Sequence, residues 1–358
     1  MKLLEKIKIG SLELNNRVVM APMTRSRAHK DGLVTDSTVT YYSQRATAGL
    51  IISEAVNISE QAIGSPFTPG IYTEKQIEAW KKVTSAVHEK GGKIFIQLWH
   101  TGRVGHSSVR NGILPVAPSA IKIEGQQHFT PTGMQDYEVP RALELEEVKD
   151  IIKQYGIAAK NALTAGFDGV ELHGAFGYLP NQFLVDGANK RTDEFGGSIE
   201  NRCRFVLDIM NELLAVFGEE RVGIKLSPSI PFNGMIDSDP KALYTYLIKE
   251  LNKLPLAYLH LMLALFPLDN LPTWPKDVLG TYSDLFDKKI IANGGYNKDS
   301  AEKELLNGKI ELISFGSLYV SNPDLVKRFE LNIEYNEPDR NSFYGGDDKG
   351  YIDYPTLN

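Results

Sequence analysis

The chain has 358 residues and a formal net charge of −6, with 42% hydrophobic and 23% charged residues. These fractions are typical of a water-soluble globular protein, and the length suits one α/β barrel with inserted loops. The negative charge gives no electrostatic reason to expect nucleic acid or an anionic membrane as a partner. We expect a small-molecule substrate and a cytoplasmic location, since the N-terminus lacks a signal-peptide core; a homo-oligomer stays possible.

Eight strand-like runs recur along the chain, most of them separated by helical patterns. Most are unbroken apolar runs, as expected of strands that are covered on both faces. The runs are Val18–Pro22, Leu50–Val56, Lys93–Trp99, Gly169–His173, Val222–Ser227, Tyr258–Leu263, Lys289–Asn293 and Leu312–Gly316. Apolar residues at helical spacing predict helices over Glu74–Lys90, Leu145–Ala165 and Ser198–Phe217, the last with Ser198 as its N-cap.

Strand–helix alternation of this kind predicts a closed parallel (β/α)8 barrel, a TIM barrel, formed as a single domain over residues 1–358. The alternative is an open doubly wound sheet, which is disfavoured because no Gly-x-Gly-x-x-Gly turn follows the first strand. Two irregular segments, Gly102–Glu138 and the stretch from about Asn336 to Asn358, are rich in Gly, Pro and Asp. We interpret both as loops over the C-terminal face of the barrel.

Polar residues stand at the ends of seven predicted strands, where barrel enzymes place their chemistry. Each alone could be an ordinary strand terminus, but together they indicate one pocket at one rim. They are Thr24, Glu54, Gln97 with His100, His173, Lys225 with Ser227, Asn293 with Gly294 and Gly295, and Gly316 with Ser317. A His and a Tyr presented together, here His173 and Tyr178, can hold a substrate oxygen and transfer a proton.

Glycines follow the last two predicted strands, at Gly294-Gly295 and at Gly316 before Ser317. Glycine lets the backbone approach a ligand closely. Barrels commonly bind phosphate at these two strands through backbone N–H groups near a helix start. The sequence therefore predicts a phosphorylated ligand at strands seven and eight.

Long segments spread over nearly the whole chain resemble the Old Yellow Enzyme family of NADH:flavin oxidoreductases and ene-reductases. The segments are long and specific, so the chain is identified as a member of that family. They are Asn16–Ala28, Tyr41–Ala55, Pro69–Thr73, Gln97–Arg103, Pro115–Ser119, Gly169–Phe183, Arg191–Arg202, Ser321–Leu325 and Phe343–Pro355.

The resemblance implies FMN over the barrel mouth and NAD(P)H as the reductant. The implied reaction reduces the C=C bond of an α,β-unsaturated carbonyl or nitro compound, with hydride from the flavin N5 and a proton from Tyr178. His173 would hold the substrate oxygen, and Thr24 would tune the flavin. Trp99, Phe176 and Tyr344 would shape the substrate pocket. The residues implied at the cofactor are Pro22, Met23, Thr24, Ala55, Gln97, Lys225, Gly294, Gly295, Gly316 and Ser317.

Three residues differ from the usual pattern of the family. Phe176 stands where a second oxygen-binding donor is usual, and Lys225 and Ser317 stand where arginine is usual. The loss of one donor corresponds to about 3 kcal/mol of transition-state stabilisation, or about a hundredfold in rate. One interpretation is a working FMN enzyme with altered recognition, which the retained catalytic residues favour. The alternative is weakened or lost FMN binding, in a non-redox binding barrel or an enzyme for another phosphorylated metabolite.

Other reactive side chains are given ordinary roles. Cys203 lies in a helical pattern, which favours a packed structural thiol over a nucleophile. His100, His106 and His128 lie in the loop-rich region and are expected to be solvated or structural. No cluster has convincing metal-ligand spacing, and no Gly-x-Ser-x-Gly turn indicates a serine nucleophile.

Overall fold

Eight parallel strands close into a barrel in the computed structural model, which describes residues 1–357. The strands in chain order are β1 (Ile7–Ile9), β2 (Leu12–Leu14), β3 (Val18–Met20), β4 (Leu50–Asn57), β5 (Ile94–Trp99), β6 (Val116–Ala117), β7 (Gln127–Thr130), β8 (Gly133–Asp136), β9 (Arg141–Ala142), β10 (Gly169–Gly174), β11 (Val222–Leu226), β12 (Tyr258–Met262), β13 (Lys289–Asn293) and β14 (Leu312–Phe315). Around the barrel the order is β3, β4, β5, β10, β11, β12, β13, β14 and back to β3. The predicted (β/α)8 barrel is confirmed, and the open doubly wound sheet is wrong.

All eight predicted strands form, with ends that agree to within two residues. The largest difference is in the first, which was predicted to reach Pro22 and ends at Met20. Proline has no backbone N–H to donate to a sheet, so it does not extend the ladder. The chain from Ala21 onward therefore leaves the barrel wall and lies at its mouth.

Helices surround the barrel, and their apolar faces pack on the outward side chains of the strands. They are α1 (Asp36–Gln44), α2 (Glu74–Glu89), α3 (Leu145–Thr164), α4 (Leu179–Leu184), α5 (Ile199–Phe217), α6 (Pro240–Asn252), α7 (Val278–Tyr282), α8 (Lys298–Leu306), α9 (Ser317–Ser321) and α10 (Leu325–Leu331). The three predicted helices correspond to α2, α3 and α5. The predicted cap of α5 is confirmed, because Ser198 Oγ accepts the N–H of Asn201 at 3.3 Å. Within residues 1–357, no helix is long and apolar enough to cross a membrane.

A short hairpin closes the bottom of the barrel. Strands β1 and β2 pair antiparallel and place Ile9 and Leu14 against the lowest inward-facing side chains. Those side chains form a dry apolar floor and include Val19, Leu50, Ile52, Phe95, Tyr258, Ile291 and Leu312. The sequence analysis predicted no element before Val18, because strands of three residues are too short to show a period.

The two irregular segments differ in how they are held. The first, predicted as a loop over Gly102–Glu138, contains the β7–β8 hairpin, which turns at Gly133 with φ 107°. The second, from residue 336, is held by side chains near the start of the chain. Arg25 Nε donates to the Phe343 carbonyl at 2.9 Å, and Arg27 Nη2 donates to that of Ser342 at 2.9 Å.

Removal of side-chain volume from the floor should lower stability strongly. Ile52 is fully buried, so Ile52→Ala is expected to lower the free energy of unfolding by about 2–5 kcal/mol. Ile157→Ala makes the same change on α3, at a residue that is 55% exposed. It should change the free energy of unfolding by less than about 0.5 kcal/mol. Urea unfolding of both variants checks this. Equal losses would contradict a packed floor.

Candidate active site

Three rings meet at the mouth of the barrel. His173 lies near the end of β10, Trp99 ends β5, and Tyr178 precedes α4. The ring centroids are 4.7 Å apart for His173 and Tyr178, 4.7 Å for Trp99 and Tyr178, and 6.2 Å for Trp99 and His173. The predicted pairing of His173 with Tyr178 at one strand end is thus present in the structure.

Both titratable rings of this cluster are held neutral at neutral pH. Burial lowers the pKa of His173 well below its usual range, and the nearby charge of Lys225 acts in the same direction. Burial also raises the pKa of Tyr178. The cluster therefore offers an uncharged imidazole and a protonated phenol.

Two buried polar atoms of the cluster have no protein partner. His173 Nδ1 and Trp99 Nε1 make no hydrogen bond to any residue in the range 1–357. Buried polar atoms are nearly always hydrogen-bonded to protein, water or ligand. These two atoms mark the mouth as a ligand site with room for hydrogen-bonding partners.

Phe176 forms an apolar wall beside the cluster. Its backbone has φ 56°, a left-handed conformation that is strained for a bulky side chain. The loop is held by the Phe176 N–H, which donates to Ser227 Oγ at 2.9 Å, and by its carbonyl, which accepts from Asn233 Nδ2 at 2.8 Å. Its ring centroid lies 5.8 Å from Lys225 Nζ. Phe176 therefore shields a buried cation and has no side-chain donor for a substrate.

Lys225 is a buried cation under the mouth. It lies level with His173 on β10 and with His260 on β12, and its Nζ donates to Asn293 Oδ1 at 2.9 Å. Burial lowers the pKa of Lys225 to about 8, and the negative charge of Glu171 opposes that shift. The ammonium group is therefore close to losing its proton under mildly basic conditions.

A chain of buried polar groups crosses the barrel below the rings. Gln97 Nε2 donates to Glu171 Oε1 at 2.7 Å. Glu171 Oε2 is 2.8 Å from His260 Nδ1, and His260 Nε2 is 2.8 Å from Ser314 Oγ. The sequence predicts Gln97 as a site residue but does not predict Glu171 or His260. The spacing of Glu171 and His173 was an available signal, because residues two apart on a strand face the same side.

The predicted phosphate glycines lie at the ends of β13 and β14, and two of them, Gly295 and Gly316, have open space beside them. Gly294 and Gly295 have φ values of 146° and 68°. A Cβ atom added at Gly295 would meet nothing within 4 Å, and one at Gly316 would meet only Met23 Sδ, at 3.7 Å. The exposed Ser317 follows as the first residue of α9. A ligand can therefore reach this backbone without displacing side chains.

The remaining predicted residues complete the rim. Ala55 on β4 lies level with Gln97 on β5. Pro22, Met23 and Thr24 follow β3 and are half-buried. Tyr344 is 69% exposed and is carried by the tail, whose next residue, Gly345, donates its N–H to the Arg25 carbonyl at 2.9 Å. The structure thus brings Tyr344 to the mouth on a segment distant in sequence.

Other reactive side chains lie outside this rim. Burial raises the pKa of Cys203 to about 12, which confirms a structural thiol. His128 Nε2 contacts the Gly64 carbonyl at 2.6 Å and His106 caps a short helical turn, so both are structural and neither is solvated. His100 is also buried and accepts the Gly102 N–H at 3.0 Å. Residues 1–357 contain no group of three or more metal-binding side chains.

A surface groove of about 1030 Å³ lies on the outer face of the helices, lined by residues of α1, α2 and the segment before α1. It contains none of the predicted site residues. We place the functional site at the mouth because His173 and Tyr178 meet there, together with the unpartnered buried atoms His173 Nδ1 and Trp99 Nε1.

A parallel barrel with polar groups and open glycines at the C-terminal ends of its strands belongs to the class of TIM-barrel enzymes. A family model described as the NADH:flavin oxidoreductase / NADH oxidase family matches residues 2–336. The 12-oxophytodienoate reductase 1 of Oryza sativa subsp. japonica is 45% identical over 361 residues, covering 99% of this chain and 93% of that protein.

Solved structures of similar proteins agree with this match. Morphinone reductase in complex with tetrahydroNAD is 45% identical, has a TM-score of 0.94, and the match covers 100% of this chain and 98% of that chain. The old yellow enzyme homologue from Zymomonas mobilis is 40% identical, with a TM-score of 0.95 and coverage of 100% of both chains. This chain belongs to the NADH:flavin oxidoreductase / NADH oxidase family, the Old Yellow Enzyme family.

These matches confirm the predicted family and the predicted cofactors. The protein is an FMN-dependent oxidoreductase with a reduced nicotinamide nucleotide as its electron donor. The mouth fits a bound FMN in two respects. The open glycine backbone at Gly295 and Gly316 suits a phosphate, and the buried Lys225 suits an anionic ring edge.

The depressed pKa of Lys225 predicts a pH-dependent stability. Folding lowers this pKa from 10.5 to about 8, so between these values the unfolded chain binds more protons than the folded chain. The contribution of Lys225 to the free energy of unfolding therefore rises with pH across that window. Relative to Lys225→Met, the wild-type apoprotein should gain stability between about pH 7 and about pH 9.5.

Urea unfolding at both pH values measures this difference. Lys249→Met removes an exposed lysine on α6 and serves as the matched control. Its free energy of unfolding should differ from that of the wild type by the same amount at both pH values. A constant difference for Lys225→Met as well would contradict the shifted pKa.

Proposed function

We propose that this protein reduces the C=C bond of α,β-unsaturated carbonyl or nitro compounds. The observation that carries the proposal is the pairing of His173 with Tyr178 at the barrel mouth. Their ring centroids are 4.7 Å apart, and His173 Nδ1 has no protein partner. When bound, FMN would supply the redox chemistry, which is hydride transfer from the reduced nicotinamide to the β-carbon of the alkene.

His173 binds the oxygen of the activating group. Its imidazole is neutral because burial and the charge of Lys225 lower its pKa, so it carries one N–H and donates it as a neutral hydrogen-bond donor. Negative charge develops on the substrate oxygen as the β-carbon accepts a hydride. A donor aimed at that oxygen stabilises the transition state more than the ground state.

Tyr178 donates the proton to the α-carbon. Its pKa is raised by burial, so the phenol keeps its proton until a strong carbon base forms next to it. Trp99 contacts the Tyr178 ring edge-on at 4.7 Å, which limits the rotation of the phenol. The tail residue Tyr344 lies on the opposite, exposed side and borders the entry of the substrate.

The rim residues hold the cofactor in this proposal. Backbone N–H groups at Gly294, Gly295, Gly316 and Ser317 bind the phosphate, without an arginine side chain. Pro22, Met23 and Thr24 line the ring system, and Thr24 offers a hydroxyl to it. Ala55, Gln97 and Lys225 border the pyrimidine edge. The open backbone at Gly295 and Gly316 supports this arrangement.

The test follows the visible flavin band through both half-reactions. The purified protein, after FMN is added and the sample is desalted, should keep the band, lose it on anaerobic addition of NADPH, and regain it with cyclohexenone. Tyr178→Phe should lose the band at the wild-type rate but regain it about a hundredfold more slowly, because only the second half-reaction needs the proton. Tyr246→Phe, on α6, is the matched control and should behave as wild type.

Each outcome of this test discriminates between functions. A protein that does not retain FMN would overturn the proposal and favour the non-redox binding barrel. The protein could also retain FMN that NADPH reduces but that no enone or nitroalkene reoxidises. That outcome would indicate NADH oxidase activity in place of alkene reduction. A saturated ketone, cyclohexanone, controls for reoxidation that does not depend on the alkene.

Phe176→Asn should raise the rate of alkene reduction. Asparagine tolerates the left-handed backbone at φ 56° and adds an amide donor beside His173. We expect kcat/KM for cyclohexenone to rise about a hundredfold. Phe176→Leu keeps an apolar wall without a donor and should stay within about threefold of wild type. A fall in kcat/KM for Phe176→Asn would show instead that the aromatic wall itself binds the substrate.

A further inference from the structure

Glu171 is a buried carboxylate that the proposed chemistry does not use. It lies inside β10, two residues before His173, and its side chain is fully buried. Both oxygens are engaged by other strands: Oε1 by Gln97 Nε2 of β5 at 2.7 Å, and Oε2 by His260 Nδ1 of β12 at 2.8 Å. A carboxylate that spans three strands at the centre of the barrel fixes the side chains around it.

The carboxylate decides the orientation of both partners. An ionised carboxylate only accepts hydrogen bonds, so Gln97 must turn its NH₂ group, and His260 its Nδ1–H, toward Glu171. His260 is neutral because burial lowers its pKa to about 4. Its Nε2 is therefore an acceptor, and it accepts a hydrogen bond from the Ser314 hydroxyl at 2.8 Å.

This orientation leaves one acceptor free. With Nε2 directed at Glu171, the Oε1 atom of Gln97 is directed away from that carboxylate and is free to accept a hydrogen bond from a ligand. Lys225 Nζ, a donor with a positive charge, lies in the same buried layer of the barrel. Gln97 and Lys225 lie on β5 and β11, the two neighbours of β10. An acceptor and a cationic donor on these two strands match the imide edge of a flavin, in which an N–H group is flanked by two carbonyl oxygens.

We propose that Glu171 is a positioning residue for the flavin, which fixes the Gln97 amide so that Oε1 accepts the imide N–H of FMN and which offsets the charge of Lys225. This inference rests on the proposed FMN site at the barrel mouth. Glu171 does not touch the cofactor or the substrate and acts only through Gln97 and Lys225.

The two roles have separate consequences. The fixed amide favours binding of FMN in both redox states, because the imide N–H is present in both. The negative charge of Glu171 opposes the negative charge that a deprotonated reduced flavin carries on its pyrimidine ring. Removal of that charge should therefore stabilise the reduced flavin relative to the oxidised flavin and raise the midpoint potential.

The experiment measures the dissociation constant of oxidised FMN and the flavin midpoint potential at pH 7 and again at pH 6, well below the pKa of about 8 for Lys225, so that the ammonium group stays protonated when the charge of Glu171 is removed. Glu171→Gln keeps the shape and the hydrogen-bonding atoms but removes the charge. Glu171→Met removes both. Glu311→Gln makes the same isosteric change at the other end of the barrel, where its carboxylate accepts the Ile290 N–H at 2.9 Å, and serves as the control.

For Glu171→Gln we expect oxidised FMN to bind with nearly wild-type affinity and reduced FMN at least tenfold tighter, which is about 30 mV for a two-electron couple. Glu171→Met should bind oxidised FMN at least about tenfold more weakly, since the Gln97 amide is then free to turn. Glu311→Gln should match wild type in both measurements. A purely structural role for Glu171 would weaken both redox states equally and leave the potential unchanged, which would overturn the inference.

A second measurement does not depend on a variant at Glu171. Bound ¹⁵N-labelled FMN should show a slowly exchanging imide N–H in the wild type and a rapidly exchanging one in Gln97→Met. Rapid exchange in the wild type would overturn the role of Gln97 Oε1 while FMN binding itself stands. A wild-type protein that does not retain FMN at all would instead remove the proposed function, so the two failures are distinguishable.

Discussion

The buried carboxylate of Glu171 is the constraint on which the centre of the barrel depends. Removal of a carboxylate from water costs several kcal/mol unless donors and a compensating charge replace the solvent. Here β5 and β12 supply the donors, and Lys225 of β11 supplies the cation. The apolar floor below keeps water from taking their place. The strands must therefore stay in register for the carboxylate to remain satisfied.

This polar layer also determines the chemistry at the rim above it. Burial lowers the pKa of His173, and the positive charge of Lys225 acts in the same direction, so the imidazole at the mouth is a neutral donor. The negative charge of Glu171 in turn raises the pKa of Lys225 and opposes the effect of burial. A change of charge in the layer is thus transmitted to groups that face the ligand, without any movement of the backbone.

The barrel could be predicted from the sequence because parallel strands that are covered on both faces appear as continuous apolar runs. The rim was predictable for a related reason, since the C-terminal ends of such strands meet at one face. The polar layer below the rim, which contains Gln97, Glu171 and His260, could not be predicted from the sequence. Gln97 and Glu171 are 74 positions apart and His260 lies 89 positions beyond Glu171, so no local pattern pairs them. The resemblance also gave no reason to place Phe176 over Lys225, which depends on the three-dimensional path of one strained loop.

The attachment of the tail to Arg25 and Arg27 sets an order of assembly during translation. The carbonyl partners of these guanidinium groups lie 315 to 325 positions later in the chain. All eight barrel strands leave the ribosome before those carbonyls do, so the wall of the barrel can close while the segment that carries Tyr344 is still inside the ribosome. The segment that borders the mouth is therefore the last part of the site to be synthesised, after every strand that forms the floor and the polar layer.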